Sequence, residues 1–143
     1  MPRPDPVKLS GGCQCGAVRF KLDGQPYWVA HCHCSLCRKQ TSAPYATWIS
    51  LPADAVTFTK GEPRIWEDKP DRQRGFCPEC GTQLLGKTPK YPGEVHFLVG
   101  ALDEPNAVTP QVHSFFADAL NWVHPGDGLR RFATTSKEGP PLD

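Results

Sequence analysis

The chain has no run of eighteen apolar residues, and that absence excludes a transmembrane helix. Its opening, "MPRPDPVK", carries prolines and charges where a secretory leader needs an apolar core, so no signal peptide is expected. No charge of one sign dominates. Sixteen basic and fifteen acidic residues leave a formal net charge of +1, and no basic block is denser than Arg72 and Arg74. The electrostatic footprint of a nucleic-acid binder is missing. Repeats, low-complexity linkers and composition breaks are absent as well. What remains is the expectation of one cytoplasmic domain over residues 1–143, with an ordered core of about 8–134 and mobile ends rich in proline and charge.

Long helices are excluded too, because sixteen prolines and thirteen glycines interrupt the 143 residues too often. The segments between them are short, β-branched or aromatic, and often alternating. "AVRFKL", "YWVAHC", "PYATWISL", "AVTFTK", "PRIWE", "EVHFLVGAL" and "VHSFF" read as strands. Helical turns are expected only around Ser35 to Thr41 and Phe116 to Asn121. The pattern predicts a mostly β fold of antiparallel sheets, with its cysteines in loops and at strand ends. Arg72 and Arg74 read as a solvated strand face, and the four tryptophans as core or pocket-wall residues.

Seven cysteines in a reducing compartment point to metal ligands more than to disulfides, and an odd number cannot all pair within one chain. They fall in three clusters: "GGCQCG", "CHCSLC" and "FCPECG". In C-P-E-C-G the sulfurs of Cys77 and Cys80 face one another across a tight turn. There Gly81 can take a positive φ and let backbone N–H groups approach a thiolate. That knuckle is half of a tetrahedral zinc site. In extended backbone Cys13 and Cys15 share a face and can supply the other half. Four thiolates leave no open position, so this site is structural and closes a loop of about sixty residues. Cys32 and Cys34 could join the knuckle instead.

Cys32, Cys34 and Cys37 then form a second set with no eighth cysteine to complete it. Alternation turns His31 and His33 to the opposite face. Three protein ligands and one open position is the arrangement of catalytic zinc sites, although His96, His113, His124 or a carboxylate could close it into a second structural clip. A zinc held by three thiolates is a poor Lewis acid, which disfavours hydrolysis by zinc hydroxide, but it is thiophilic. An incoming thiol would be deprotonated and oriented there, with Arg38 and Lys39 placed to hold a carboxylate of that thiol. For each histidine singly, packing or a satisfied hydrogen bond is the ordinary role.

"GGCQCGAVRF", "CHCSLCRKQT", "GFCPECGTQL" and "VGALDEP", with the later His113 and Trp122, resemble the glutathione-dependent formaldehyde-activating enzyme family, also called the centromere protein V domain family. The likeness runs from about Leu9 to Phe132. It implies a β-tent of several coiled antiparallel sheets, similar to a zinc-bearing exchange-factor fold. It also implies two Zn2+ per chain, one structural on Cys13, Cys15, Cys77 and Cys80 and one functional on Cys32, Cys34 and Cys37. The implied activity joins glutathione to formaldehyde, giving S-hydroxymethylglutathione, and is classed as a carbon–sulfur lyase. Arg38 is the expected anchor for the thiol's anionic end. The implied partners are small molecules, with no nucleic acid or membrane, in a monomer or homodimer. A non-catalytic two-zinc module that binds a protein or a thiol is the alternative. Ser42 stands where the family often has glycine, and Asn121 and Arg131 where it often has proline.

Overall fold

A computed structural model describes residues 1–69 and 72–142; Pro70, Asp71 and Asp143 lie outside the described residues. In chain order the elements are β1 (Val7–Gly12), β2 (Arg19–Gly24), β3 (Trp28–Cys32), α1 (Ser35–Thr41), β4 (Ala46–Pro52), β5 (Val56–Lys60), β6 (Arg64–Lys69), β7 (Arg72–Phe76), β8 (Gln83–Lys87), β9 (Glu94–Leu98), β10 (Val112–Ser114) and β11 (Arg130–Arg131), with four short 3-10 turns. They pack as two compact units, Met1–Trp28 with Ile49–Val108, and Val29–Trp48 with Thr109–Asp143.

In the first unit β1, β2 and β5 form a three-stranded antiparallel sheet, and β9, β8, β7 and β6 follow one another as antiparallel neighbours. Strand β2 shows why. Its sequence RFKLDG buries Phe20 and Leu22 while Lys21 and Asp23 face water, the period-two alternation of a half-buried strand. Phe20 packs on Phe97 with ring centroids 4.5 Å apart, and Ile49, Leu51 and Leu84 are fully buried. Each such side chain contributes about 1.5–3 kcal/mol through burial.

The second unit carries the strand order β11-β10-β3-β4. Here the antiparallel expectation gives way, since β10 pairs in parallel with both β3 and β11. Parallel neighbours need a long crossover, and the first unit's chain intervenes between β3 and β10. Helix α1 matches the expected turn at Ser35–Thr41. It stops at Ser42, which sits in the left-handed region at φ 55° and ψ 34° while its N–H bonds the Arg38 carbonyl. A side chain in that conformation is strained, and glycine is not. Ser42→Gly is expected to raise stability by about 0.5–1 kcal/mol after its greater unfolded-state freedom is subtracted. Thermal unfolding checks this, and an unchanged midpoint would show that the serine side chain offsets its own strain.

Other expectations shift with tertiary context. The segment 116–121 forms only a 3-10 turn at Phe116–Asp118. "EVHFLVGAL" is a strand to Leu98 and then a 3-10 turn at Val99–Ala101. Arg74 is buried, not solvated, because β7 runs between two neighbouring strands; Arg72 is half-buried and pairs with Asp68. Trp48 is buried, whereas Trp66 and Trp122 are exposed. The two ends bond back to their own units: Arg3 donates to the Gln25 carbonyl, and the Leu142 N–H to the Arg131 carbonyl. No described helix is long and apolar enough to cross a membrane.

Candidate metal centres

Four sulfurs of the first unit converge. Strand β1 ends at Gly12, and the chain then turns, the Gly16 N–H donating to the Cys13 carbonyl at 3.2 Å. The turn, in place of the expected strand alternation, brings Cys13 Sγ and Cys15 Sγ to 3.6 Å. Cys15 Sγ lies 3.8 Å from Cys77 Sγ, and all four sulfurs of Cys13, Cys15, Cys77 and Cys80 lie within 4.8 Å of one another. The knuckle forms as the spacing predicts. Gly81 takes φ +80° and donates its N–H to the Cys77 carbonyl, so the N–H groups of Glu79 and Cys80 point at Cys77 Sγ, each at 3.4 Å. The Val18 N–H donates to Cys13 Sγ at 3.2 Å.

These donors favour thiolates, and crowding opposes them. Hydrogen bonds from Thr82 hold the Cys80 thiol down at about 5. Cys15, although the Ala17 N–H favours its thiolate, is pushed up to about 12, chiefly by Cys80. Four sulfurs this close cannot all lose their protons without a cation among them. The donor set therefore fits a metal ion with four thiolate ligands.

The second unit gathers three more. Cys32 ends β3, Cys34 is the N-cap of α1 and accepts the Cys37 N–H at 3.3 Å, and Cys37 is buried in the helix's first turn. Their sulfurs also lie within 4.8 Å of one another, with no His, Asp or Glu in the group among the described residues. Hydrogen bonds from Cys32 and then Cys37 pull the Cys34 thiol down to about 2, while the same contacts drive Cys32 far up. This set too suits a cation, and it offers three ligands.

The histidines between these cysteines lie elsewhere. His33 and His113 are fully buried, with His33 Nε2 2.8 Å from His113 Nδ1, and His113 Nε2 is 2.8 Å from Asp127 Oδ2. Burial, then the neighbouring His113, pushes His33 down to about 4. Desolvation works against the Asp127 carboxylate, but its hydrogen bond from His113 wins and keeps its pKa below the usual range. An ionised Asp127 must accept from His113 Nε2–H, so His113 Nδ1 accepts from His33 Nε2–H. That leaves His33 Nδ1 a buried lone pair without a partner. His96 has the expected strand role, 3.2 Å from Glu94 Oε1 and against Trp28, while His124 is exposed. Asp127 escaped the sequence reading: its partner His113 is fourteen positions away, and only the folded loop joins them.

Beside α1 lies an open cavity of about 500 Å³ lined by Ser35, Arg38, Lys39, Ser42, Leu120 and Trp122, among others. Arg38 Nη1 donates to the Asp118 carbonyl at 2.6 Å and to the His33 carbonyl at 3.3 Å. Lys39 has no hydrogen-bond or ion-pair partner among the described residues. No carboxylate lines the cavity, and Trp122 is 63% exposed at its wall.

A protein of Halomonas elongata, provisionally named as a glutathione-dependent formaldehyde-activating enzyme, is 33% identical over 124 residues, covering 80% of this chain and 79% of its own. The crystal structure of a Rhodobacter sphaeroides protein superposes with a TM-score of 0.57 at 21% identity, over 71% of this chain and 92% of that one, and shows a shared fold. The family model described as glutathione-dependent formaldehyde-activating enzyme matches residues 8–118, a span that includes all seven cysteines. The chain belongs to the glutathione-dependent formaldehyde-activating enzyme family.

Proposed function

We propose that the chain is a cytoplasmic two-zinc enzyme of the carbon–sulfur lyase class that joins glutathione to formaldehyde, giving S-hydroxymethylglutathione. One observation carries this reading: Cys32, Cys34 and Cys37 gather three sulfurs with no fourth Cys, His, Asp or Glu among the described residues. Zinc bound there would supply a thiophilic centre with one position open to a substrate sulfur. Cys13, Cys15, Cys77 and Cys80 would hold the structural zinc.

In the reaction the thiol sulfur bonds to the carbonyl carbon, the C=O π pair moves to oxygen, and the thiol's proton ends there. Nothing is oxidised or reduced. The chain's own residues place the sulfur. Cys34, fixed by the Cys37 N–H, and buried Cys37 hold their sulfurs at the start of α1. Arg38 and Lys39, next along that helix, line the cavity that takes the rest of the thiol. Two cations and no carboxylate suit the two carboxylates of glutathione, and Trp122 offers a face for its peptide groups.

Exchange-rate NMR of glutathione with formaldehyde, with and without the zinc-loaded protein, tests the activity; no acceleration ends the enzyme reading. Lys39→Ala is expected to raise KM for glutathione roughly two- to fivefold with kcat kept, since an exposed ion pair is worth up to about 1 kcal/mol. The neutral thiol 2-mercaptoethanol should be unaffected. Equal losses for both thiols would remove Lys39 from the binding site.

A further inference from the structure

We infer that His31, His113 and Asp127 form a third metal site, for a divalent ion of the cobalt, nickel and zinc group held by two imidazoles and one carboxylate. His31 on β3 and His113 on β10 are register partners in a parallel pair, so their side chains leave the sheet on one side. Their rings stack with centroids 4.7 Å apart and 29° between planes. Asp127, in the loop before β11, brings Oδ2 to 2.8 Å from His113 Nε2. One donor atom from each of the three lies within 4.8 Å of the others.

Each of the three is steadied by a contact on its far side. His31 Nδ1 is 2.7 Å from Thr47 Oγ1, and His113 Nδ1 is 2.8 Å from His33 Nε2. Asp127 Oδ1 accepts the Leu129 N–H at 3.0 Å. Metal-binding imidazoles are typically anchored in this way through the nitrogen that does not face the ion. The other nitrogen of His31, Nε2, has no hydrogen-bond partner among the described residues. His113 is fully buried at the base, while Asp127 is 38% exposed and leaves ions a route in.

Donors around an ion at 2.0–2.2 Å stand about 3 Å apart, so binding draws the set together from its present spread. The most exposed member, Asp127, has the shortest distance to keep. The ion takes the place of the proton between His113 Nε2 and Asp127: His113 then carries its hydrogen on Nδ1 and donates it to His33 Nε2, and His33 carries its own on Nδ1, so both imidazoles stay neutral. With no sulfur and one carboxylate, the set suits borderline first-row ions and leaves positions for water. Its chemistry is therefore separate from that of the cysteine clusters.

The test equilibrates zinc-loaded protein with cobalt(II) chloride, counts metal per chain after desalting, and reads the visible spectrum. One cobalt beyond the zinc is expected, with weak ligand-field bands and no thiolate charge-transfer band. Asp127→Ala and His31→Gln should each weaken cobalt binding at least about tenfold at unchanged zinc content. Nitrogen–proton correlation spectra of the histidine rings check that each variant is folded; should Asp127→Ala unfold, His31→Gln and Thr47→Val carry the comparison. No extra cobalt on the wild type, undiminished cobalt on the folded variants, or a charge-transfer band would each overturn the site. The readout is metal content, so it stands or falls apart from any aldehyde activity.

Discussion

Cys37→Ser is expected to fold, to hold one zinc per chain where the parent holds two, and to lose glutathione binding at the same stroke. The expectation follows from the geometry of a site with no ligand to spare. Cys37 is 7% exposed, its sulfur lies within 4.8 Å of those of Cys32 and Cys34, and no other Cys, His, Asp or Glu belongs to the group among the described residues. A serine hydroxyl keeps the volume but not the thiolate, and two sulfurs remain. A site of two thiolates lacks the ligand count that zinc sites ordinarily have. The rest of the unit should survive, because the backbone contacts of the helix start do not need the Cys37 sulfur: its N–H still reaches Cys34 Sγ, and Thr41 Oγ1 still donates to the carbonyl of residue 37. Elemental analysis gives the zinc count, circular dichroism the fold, and calorimetry the thiol affinity. Glutathione bound as tightly by a one-zinc variant would remove the second cluster from the substrate site, and with it the proposed chemistry.

Covalent spacing made the three cysteine clusters legible in advance, while leaving open which pair joins Cys77 and Cys80, and it made the helix start legible too. Cys34, Ser35, Leu36 and Cys37 can only bring their outer sulfurs together by turning, and α1 begins there. Strands whose alternation is local, such as β2 with Phe20 and Leu22, could be read for the same reason. Strand β8 could not, and of β7 only the strand face of Arg72 and Arg74 could, without its burial. Their sequences RQRGF and QLLGK each contain a glycine that reads as a breaker. In the fold Gly75 is there for close packing: a Cβ on it would lie 2.8 Å from Leu85 Cγ. That requirement exists only once β7 and β8 are paired. The chain from His33 through His113 to Asp127 was hidden similarly, since it depends on a parallel register between β3 and β10 that no local pattern encodes. Propensity and spacing act along the chain, whereas these features arise between segments.

Removing the other metal should have the larger structural effect: Cys77→Ser, or a strong chelator applied to the wild type, is expected to unfold the first unit. Cys77 is fully buried and accepts N–H groups from both Glu79 and Cys80, so its thiolate organises the knuckle as well as binding the ion. The cluster joins the end of β1 to the loop between β7 and β8. A cross-link closing about 64 residues removes about 4 kcal/mol of unfolded-state entropy. The binding free energy of a four-ligand structural zinc, about 10–16 kcal/mol at neutral pH in small domains, is itself folding free energy. A typical domain has only about 5–15 kcal/mol of net stability, so the loss is of the same size as the whole. Without the ion, the four crowded thiols keep some of their protons and no longer bridge the two segments. Thermal unfolding followed by tryptophan fluorescence should show a midpoint lowered by more than about 15 °C, or no cooperative transition at all. Cys80→Ser offers a graded comparison, because Cys80 is exposed and loses a ligand without leaving a buried gap. If both variants melted with the wild type, the first cluster would not be a structural metal site, and the first unit would owe its fold to the hydrophobic core around Phe20 and Phe97 alone.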